Sequence, residues 1–159
     1  FSIKTKTKFM SETILSRNTH KNPSFAAELD VSLTLTGESA PMNGIAQSLN
    51  LMIQNLCDNA IKYNRKGGSV NVVIQNNDDE ILLTVSDTGI GIAPELQDRV
   101  FERFYRVDKG RSREMGGTGL GLSIVKHAAM QHNAQIDLNS IPNEGTTITI
   151  RFPKIKEIV

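Results

Sequence analysis

Two glycine-rich turns constrain the fold of this chain more than any other feature of its sequence. The first, DTGIGI at residues 87–92, follows a segment in which apolar and polar residues alternate, which predicts a strand over residues 81–86. The second, GTGLGL at residues 117–122, runs directly into a segment with helical periodicity, which predicts a helix over residues 122–132. The fold must therefore combine strands and helices through turns whose backbone can approach other groups closely.

The longest periodic segment predicts a helix over residues 45–63. Leu49, Met52, Ile53, Leu56 and Ala60 recur at spacings of three and four and form one apolar stripe. Further alternating segments predict strands at residues 31–36, 70–75, 136–138 and 147–152. Because helices and hairpin-linked strands are mixed, we predict an α+β fold with a helix layer on a mostly antiparallel sheet.

Shorter segments give weaker patterns. Residues 1–9 alternate as a strand would, and residues 10–18 suit a short helix. Residues 37–44 have the composition of a loop, and Pro94 suits the first turn of a short helix that ends near residue 104. Residues 106–115 are highly charged with few apolar anchors, and we expect them to form a mobile lid.

Composition narrows the class of protein. Apolar residues make up 38% of the 159 residues, enough for one core, so we expect a single domain over residues 1–159. Lys and Arg number 18 against 17 for Asp and Glu, a balance that argues against a nucleic-acid partner. No uninterrupted apolar run approaches the ~18 residues of a membrane-spanning helix. Since the first residue is not Met, we expect a fragment of a longer protein, located in the cytoplasm.

Asp87 opens the first glycine-rich turn at the end of a predicted strand. A carboxylate there can accept a hydrogen bond from an exocyclic amine, which adenine carries and guanine lacks at that edge. The same carboxylate could instead cap the short helix that begins near Pro94.

The second glycine-rich turn precedes a helix directly. Glycines let backbone N–H groups approach phosphate oxygens, and a helix N-terminus favours negative charge. A flexible linker or a close helix–sheet crossing would need glycines too. The spacing differs from that of the Rossmann and P-loop motifs, and the sequence set of protein kinases is missing.

Asn55, Asn59 and Lys62 share one face of the predicted long helix, opposite its apolar stripe. Amide oxygens suit a Mg²⁺ ion that already carries water and phosphate ligands, and a lysine suits phosphate. An ordinary solvated helix face would have the same spacing.

Taken together, five segments resemble the sequence boxes of the sensor histidine kinases. Residues 55–63 (NLCDNAIKY) resemble the N box, residues 87–92 the G1 box and residues 101–106 (FERFYR) the F box. Residues 117–122 resemble the G2 box, and residues 144–147 (EGTT) resemble the final glycine–threonine turn. The order and spacing are those of the family and cover most of the chain. The resemblance implies the Bergerat fold, a two-layer sandwich with a mixed sheet of about five strands packed on three helices.

The resemblance also implies a site for ATP and Mg²⁺. Asn55 would coordinate Mg²⁺ and, with Lys62, serve the transfer reaction. The residues implied in ATP binding are Asn59, Lys62, Tyr63, Asp87, Gly89, Gly91, Gly117, Gly119, Leu120, Gly121, Leu122 and Thr147. Asp87 would bind the adenine amine, Thr147 would help to hold Asp87 or its water, and the residues of the G2 box would wrap the phosphates.

Two features of the family comparison bear on the reaction. The related gyrase and heat-shock ATPases carry a water-activating Glu at the position of Asn55, and an amide cannot act as that base. Transfer to a protein side chain is therefore favoured over hydrolysis. The family's phosphate acceptor is a His followed by an acidic residue, and none of His20, His127 and His132 fits that pattern. We assign His20 to a loop and the other two to helix surface or helix C-terminal charge, and Cys57 to the core.

The predicted function is a kinase module. It would bind Mg-ATP and transfer the γ-phosphate to a histidine on a separate dimerisation domain, for relay to a response regulator. Phe101, Phe104 and Tyr105 would dock the lid or that partner domain, and the isolated domain would be a monomer. The resemblance also implies that the module is a cytoplasmic domain of a membrane-anchored sensor kinase. The alternative is a regulatory or degenerate ATP-binding module without phosphotransfer.

Overall fold

Ten elements make up the part of the chain that the computed structural model describes, which is residues 2–5, 30–38, 40–107 and 118–154. The strands are β1 (Ser2–Thr5), β2 (Ser32–Gly37), β3 (Ala40–Asn43), β4 (Ser69–Asn76), β5 (Glu80–Asp87), β6 (Gln135–Ile141) and β7 (Gly145–Pro153). The helices are α1 (Ala46–Lys62), α2 (Pro94–Gln97) and α3 (Gly121–Gln131). None of these helices combines the length and apolar character needed to cross a membrane.

Five strands form one mixed sheet in the order β2-β4-β5-β7-β6. The β2–β4 pair is parallel, and α1 supplies the long crossover that a parallel pair requires. The other three pairs are antiparallel. The β5–β7 register sets Asp87 opposite Thr146, which brings the first glycine-rich turn to the start of β7.

The core lies between this sheet and the two longer helices. Met52 and Leu56 of α1 and Val125 of α3 are buried against inward-facing residues of the sheet such as Val72 and Ile150. Four residues of the predicted apolar stripe are buried, whereas its fifth, Ile53, is partly buried, and Cys57 and Ile61 are buried as well. The polar face of α1 is thereby left at one edge of the layer.

The α+β prediction and the five-stranded mixed sheet are confirmed. The predicted helices and strands of the sheet lie within a few residues of the observed ones. The loop predicted over residues 37–44 was wrong, because Ala40–Asn43 pairs with Ser2–Thr5 as a separate antiparallel ladder. Alternation in so short a segment that includes Pro41 is too weak to reveal a strand whose partner is far away in sequence.

The short helix after Pro94 ends at Gln97 instead of near residue 104. Beyond it, Arg99 N bonds to Leu96 O and Glu102 N to Arg99 O, so the chain continues through i→i+3 turns. Several predictions lie outside the described residues: the helix at 10–18, His20, Gly117 and the lid at 106–115 apart from its first two residues.

Candidate functional site

The carboxylate of Asp87 is held at the end of β5 by backbone groups. Its Oδ1 accepts hydrogen bonds from Gly89 N at 2.8 Å and from Thr146 N at 3.2 Å. Burial raises the pKa of this carboxyl group above its usual value, although the two backbone hydrogen bonds lower it in part. Within the described part of the chain, both hydrogen bonds to the carboxylate involve Oδ1, so Oδ2 can serve a ligand.

The predicted glycines of the first turn occupy positions that no larger residue could fill. A Cβ atom at Gly89 would lie 2.3 Å from the Tyr63 carbonyl oxygen. Gly91 has φ +68°, and a Cβ atom there would lie 2.1 Å from the Ile141 carbonyl oxygen. The turn thus packs closely between the residue that follows α1 and the end of β6.

Thr147 does not lie where the sequence prediction placed it. Its hydroxyl donates to Ser86 Oγ at 3.0 Å, and neighbouring Thr146 supplies the contact to Asp87. The reason is the strand period: Ile148 faces the core, so Thr147 points to the opposite face of the sheet. An assignment from sequence could not separate two adjacent threonines without knowing which one faces the core.

The second glycine-rich turn meets the polar face of α1, as the placement of Gly121 demonstrates. A Cβ atom at Gly121 would lie 3.1 Å from Asn55 Oδ1 and 3.4 Å from Asn59 Nδ2. Asn55 Nδ2 donates to Leu51 O at 2.7 Å, which directs its Oδ1 away from the helix backbone. Asn55 and Asn59 therefore lie beside Gly121, although more than sixty residues separate either asparagine from this glycine in the sequence.

Lys62 and Tyr63 end α1 beside the first turn. Lys62 Nζ lies 5.4 Å from the centroid of the Tyr63 ring, and Tyr63 is 36% exposed. A partly exposed aromatic ring next to a cation offers a surface on which a planar base can stack. Tyr63 O accepts a hydrogen bond from Ile90 N, so both residues lie at the first glycine-rich turn.

Gly119 and the residues after it begin α3. Gly119 has φ +71°, and its carbonyl oxygen accepts a hydrogen bond from Phe104 N at 2.9 Å. Leu120 O accepts from Ile124 N at 3.0 Å as the first helical bond. Leu122 packs against the core, so any ligand contact it makes must come from its backbone.

The three aromatic residues of the F box have different environments. Phe104 is 72% exposed and has φ +64°, whereas Phe101 and Tyr105 are half-buried. The Arg99 guanidinium stacks over the Tyr105 ring at 4.4 Å from its centroid. Phe104 is the aromatic side chain presented to solvent beside the second turn.

Two residues without a predicted role, Asn64 and Arg65, hold the end of α1 and the first glycine-rich turn in place. Asn64 is buried, and its Nδ2 donates to the carbonyl oxygens of Ala60 and Ser69 at 3.1 and 3.0 Å. Arg65 donates from Nη2 to Gly89 O at 2.8 Å. In the sequence, these two residues are marked only by coming directly after Lys62 and Tyr63. Their hydrogen-bond partners depend on the tertiary fold.

Ser140 and Gln97 fix the chain beyond the first turn and were also missed. The Ser140 hydroxyl accepts from Ile92 N at 2.8 Å and donates to Gly145 O at 3.0 Å. Gln97 Nε2 donates to both Ile92 O and Ser140 O at 2.9 Å. No sequence pattern marks this pair, because its geometry follows from the β6–β7 register.

The remaining single residues divide between confirmed and corrected assignments. Cys57 is a core residue as predicted, and burial raises the pKa of its thiol to about 12. His127 lies on the helix surface as predicted. The assignment of His132 to C-terminal charge was wrong. Its Nε2 accepts from Ile45 N at 3.0 Å and its Nδ1 bonds Ala128 O at 2.7 Å, which requires a neutral ring.

Comparison with known proteins identifies the family of this chain. The sequence model of the family described as "Histidine kinase-, DNA gyrase B-, and HSP90-like ATPase" matches residues 44–156, which include both asparagines, Asp87 and the second turn. The chain belongs to this ATPase family.

Its relatives are sensor histidine kinases. The chain is 40% identical over 128 residues to the sensor histidine kinase RppB of Synechocystis, covering 80% of the chain and 28% of RppB. It is 41% identical over 150 residues to the sensor-like histidine kinase SenX3 of Mycobacterium tuberculosis, covering 92% of the chain and 36% of SenX3. The solved structure of the mycobacterial sensor histidine kinase MprB superimposes with a TM-score of 0.77 at 27% identity, over 96% of each chain. The chain thus spans about a third of the length of these curated relatives.

Proposed function

We propose that residues 1–159 form one domain that binds Mg-ATP and transfers the γ-phosphate to a histidine on a separate dimerisation domain of a sensor histidine kinase. A response regulator would then receive the phosphate. The observation that carries this proposal is that both glycine-rich turns lie against α1: Gly89, next to Asp87, lies beside Tyr63 at its end, and Gly121 lies beside Asn55 and Asn59 on its polar face. Membership of the ATPase family and the named relatives support it.

The base end of the nucleotide would lie at Asp87. Oδ2 of this carboxylate would accept the adenine amine, while Gly89 and Gly91 shape the pocket and Tyr63 flanks the ring. Oδ1 is already occupied by two backbone donors, so the carboxylate is oriented before the ligand arrives. Such preorganisation lowers the entropic cost of binding.

The phosphate end would lie between α1 and the start of α3. Asn59 and Lys62 would contact the phosphates through their side chains. Backbone N–H groups of the second turn would contact them as well, from Gly117, Gly119, Leu120, Gly121 and Leu122. A helix N-terminus adds a favourable dipole for this charge. The close approach at Gly121 supports the assignment, because a side chain there would fill the space beside both asparagines.

The residues at this end also fit a Mg²⁺ ion. Asn55 would hold it through Oδ1, the amide oxygen left over after Nδ2 bonds to Leu51 O. Amide oxygen is a ligand type that Mg²⁺ accepts alongside water and phosphate oxygens. When bound, the ion would neutralise phosphate charge, and an amide at this position cannot deprotonate water.

Transfer would then depend on positioning. Phosphoryl transfer needs alignment of the reacting oxygens and charge stabilisation more than it needs covalent chemistry from the protein. Phe101, Phe104 and Tyr105 would dock the dimerisation domain, and the exposure of Phe104 beside the second turn supports this role. We further propose a cytoplasmic location for the domain.

The assignment of Asp87 predicts adenine selectivity. Asp87→Asn places an amide where the base needs an acceptor, so ATP affinity should fall by about 5- to 150-fold, the equivalent of ~1–3 kcal/mol. Affinity for inosine triphosphate, which lacks the amine, should change far less. Calorimetric titration of both nucleotides measures this, and Asp98→Asn, an exposed carboxylate on the i→i+3 turn, is the control. Equal ATP affinity in wild type and Asp87→Asn would refute the assignment.

The assignment of Asn55 predicts metal dependence. Asn55→Ala should remove most of the gain in ATP affinity that Mg²⁺ gives over EDTA, and it should reduce transfer at least tenfold, because an oxyanion-stabilising contact is worth roughly that or more. Asn50→Ala on another face of α1 is the matched control. An unchanged Mg²⁺ gain in Asn55→Ala would rule out the metal role.

A further inference from the structure

Residues 63–65, at the end of α1, hold residues 88–90 of the first glycine-rich turn one by one. The bonds run from Ile90 N to Tyr63 O (3.0 Å), from Thr88 Oγ1 to Asn64 Oδ1 (3.3 Å) and from Arg65 Nη2 to Gly89 O (2.8 Å). Two of these bonds use the backbone of the turn. The Gly89–Ile90 peptide is therefore fixed at its carbonyl by Arg65 and at its N–H by Tyr63.

Arg65 also connects a third segment to this junction. The same Nη2 donates to Asn143 O, in the turn between β6 and β7. Asn143 N in return donates to Ile90 O at 2.8 Å. One guanidinium nitrogen thus ties together the end of α1, the first glycine-rich turn and the β6–β7 turn, a geometry that suits the rigid planar donors of arginine.

A short path leads from Arg65 to the carboxylate that would bind the base. Arg65 fixes the Gly89 carbonyl, and the N–H of the same residue donates to Asp87 Oδ1 at 2.8 Å. A shift of Gly89 would therefore rotate the carboxylate and move Oδ2. Because hydrogen bonds weaken steeply with misalignment, a small rotation is enough to weaken recognition of an amine.

We propose that Arg65 is a positioning residue for base selectivity. It acts through Gly89 to fix the orientation of Asp87, because its Nη2 donates to the backbone carbonyls of both Gly89 and Asn143. The inference rests on the proposed function, in which Asp87 binds the adenine amine.

The test is the ratio of ATP affinity to inosine triphosphate affinity, measured by calorimetry on the 159-residue chain. These two nucleotides share ribose and phosphates and differ at the group that Asp87 would read. Arg65→Ala should lower the ratio about five- to tenfold, as expected for loss of a charge-assisted hydrogen bond that orients the acceptor. Arg65→Lys should restore part of the ratio, since an ammonium can still donate to one carbonyl. Lys66→Ala, the adjacent exposed cation, should leave it unchanged.

The possible outcomes distinguish a failure of the role of Arg65 from a failure of the proposed adenine site at Asp87. A residue that only stabilises the fold would lower both affinities equally, so an unchanged ratio in Arg65→Ala, with a reduced ratio in Asp87→Asn, overturns the role of Arg65. An unchanged ratio in Asp87→Asn overturns the proposed adenine site itself. If thermal melting shows that Arg65→Ala is unfolded at the assay temperature, Arg65→Lys and Arg65→Gln decide: a ratio equal to wild type in both overturns the proposal.

Discussion

At the scale of single residues, the charge of Asp87 lowers the stability of the fold but is needed for the proposed binding of the base. Partial burial disfavours its ionised form and raises its pKa, yet the ionised form is the one that would accept the adenine amine. The two backbone donors at Oδ1 recover only part of that cost. A residue that serves the fold alone would not need a charge here, and asparagine could accept the same two N–H groups.

This conflict predicts that Asp87→Asn is at least as stable as the wild type at neutral pH. The folded-state pKa lies above the unfolded one, so the native charge lowers stability above the folded pKa. The penalty vanishes as pH falls through the folded and then the unfolded pKa, about 3.9. Asp87→Asn should therefore have a higher free energy of unfolding than the wild type at pH 7.5 and the same value near pH ~4. The difference should be small, because the side chain is only partly buried.

Urea unfolding of the wild type and of Asp87→Asn at pH 7.5 and near pH ~4 measures this difference in the free energy of unfolding. Asp98→Asn is the control. A lower stability of Asp87→Asn at pH 7.5 would show that the carboxylate contributes to folding, contrary to this account.

At the scale of elements, the end of α3 supports the start of α1. His132, just after α3, accepts the hydrogen bond of Ile45 N before the first turn of α1, and its ring lies edge-on to Phe152 at 6.2 Å. Ser48 Oγ also donates to Gln131 Oε1 at 2.6 Å. The helix that carries both site asparagines is thus anchored at its N-terminus by side chains and at its C-terminus by the junction at residues 63–65.

We expect His132→Ala to lower the free energy of unfolding by about 1–2 kcal/mol, because it removes a half-buried ring packed against Phe152 and the acceptor of the Ile45 N–H, which water then replaces. His127→Ala, on the exposed face of the same helix, should stay within about 0.5 kcal/mol. Urea unfolding gives both values, and hydrogen exchange at the Ile45 amide should accelerate in His132→Ala alone. Similar losses in the two variants would contradict the anchoring role.

At the scale of the whole molecule, we expect the domain to hold ATP and to find its acceptor histidine on another domain, because none of its three histidines has the sequence context of the family's acceptor. Of the two described histidines, His132 is engaged at both ring nitrogens, and His127, although exposed, is followed by Ala128 and not by an acidic residue. Phe104, whose N–H bonds to Gly119 O beside the second turn, is exposed and could meet a partner there. Transfer would therefore be intermolecular.

We predict that the chain alone neither labels itself nor turns ATP over quickly, and that it phosphorylates a dimerisation domain added in trans. Without a tether the acceptor loses the roughly millimolar effective concentration of a short linker, so the rate should rise with acceptor concentration. A labelled-ATP assay at neutral pH, followed by acid and base treatment, identifies phosphohistidine by its acid lability. Asn55→Ala is the inactive control, and acid-stable label on the chain itself would contradict the proposal.

The sequence by itself determined the features that depend on local spacing. The stripe at Leu49, Met52 and Leu56 fixed the orientation of α1, and with it the shared face of Asn55 and Asn59, because helical periodicity decides which residues lie together. Alternation fixed the central strands, and the glycines marked the turns at Gly89 and Gly91 where a side chain would collide with backbone. The resemblance to the sensor histidine kinases rested on the same local motifs.

Only the tertiary structure decided which segments meet. The register of β5 on β7 selected Thr146 over Thr147 as the partner of Asp87, and the pairing of β1 with β3 turned a predicted loop into a strand. The junction of Arg65 with Gly89 and Asn143 joins three segments that lie up to 78 residues apart. Such contacts depend on strand register and on the packing of helices against the sheet, and local periodicity carries no information about either.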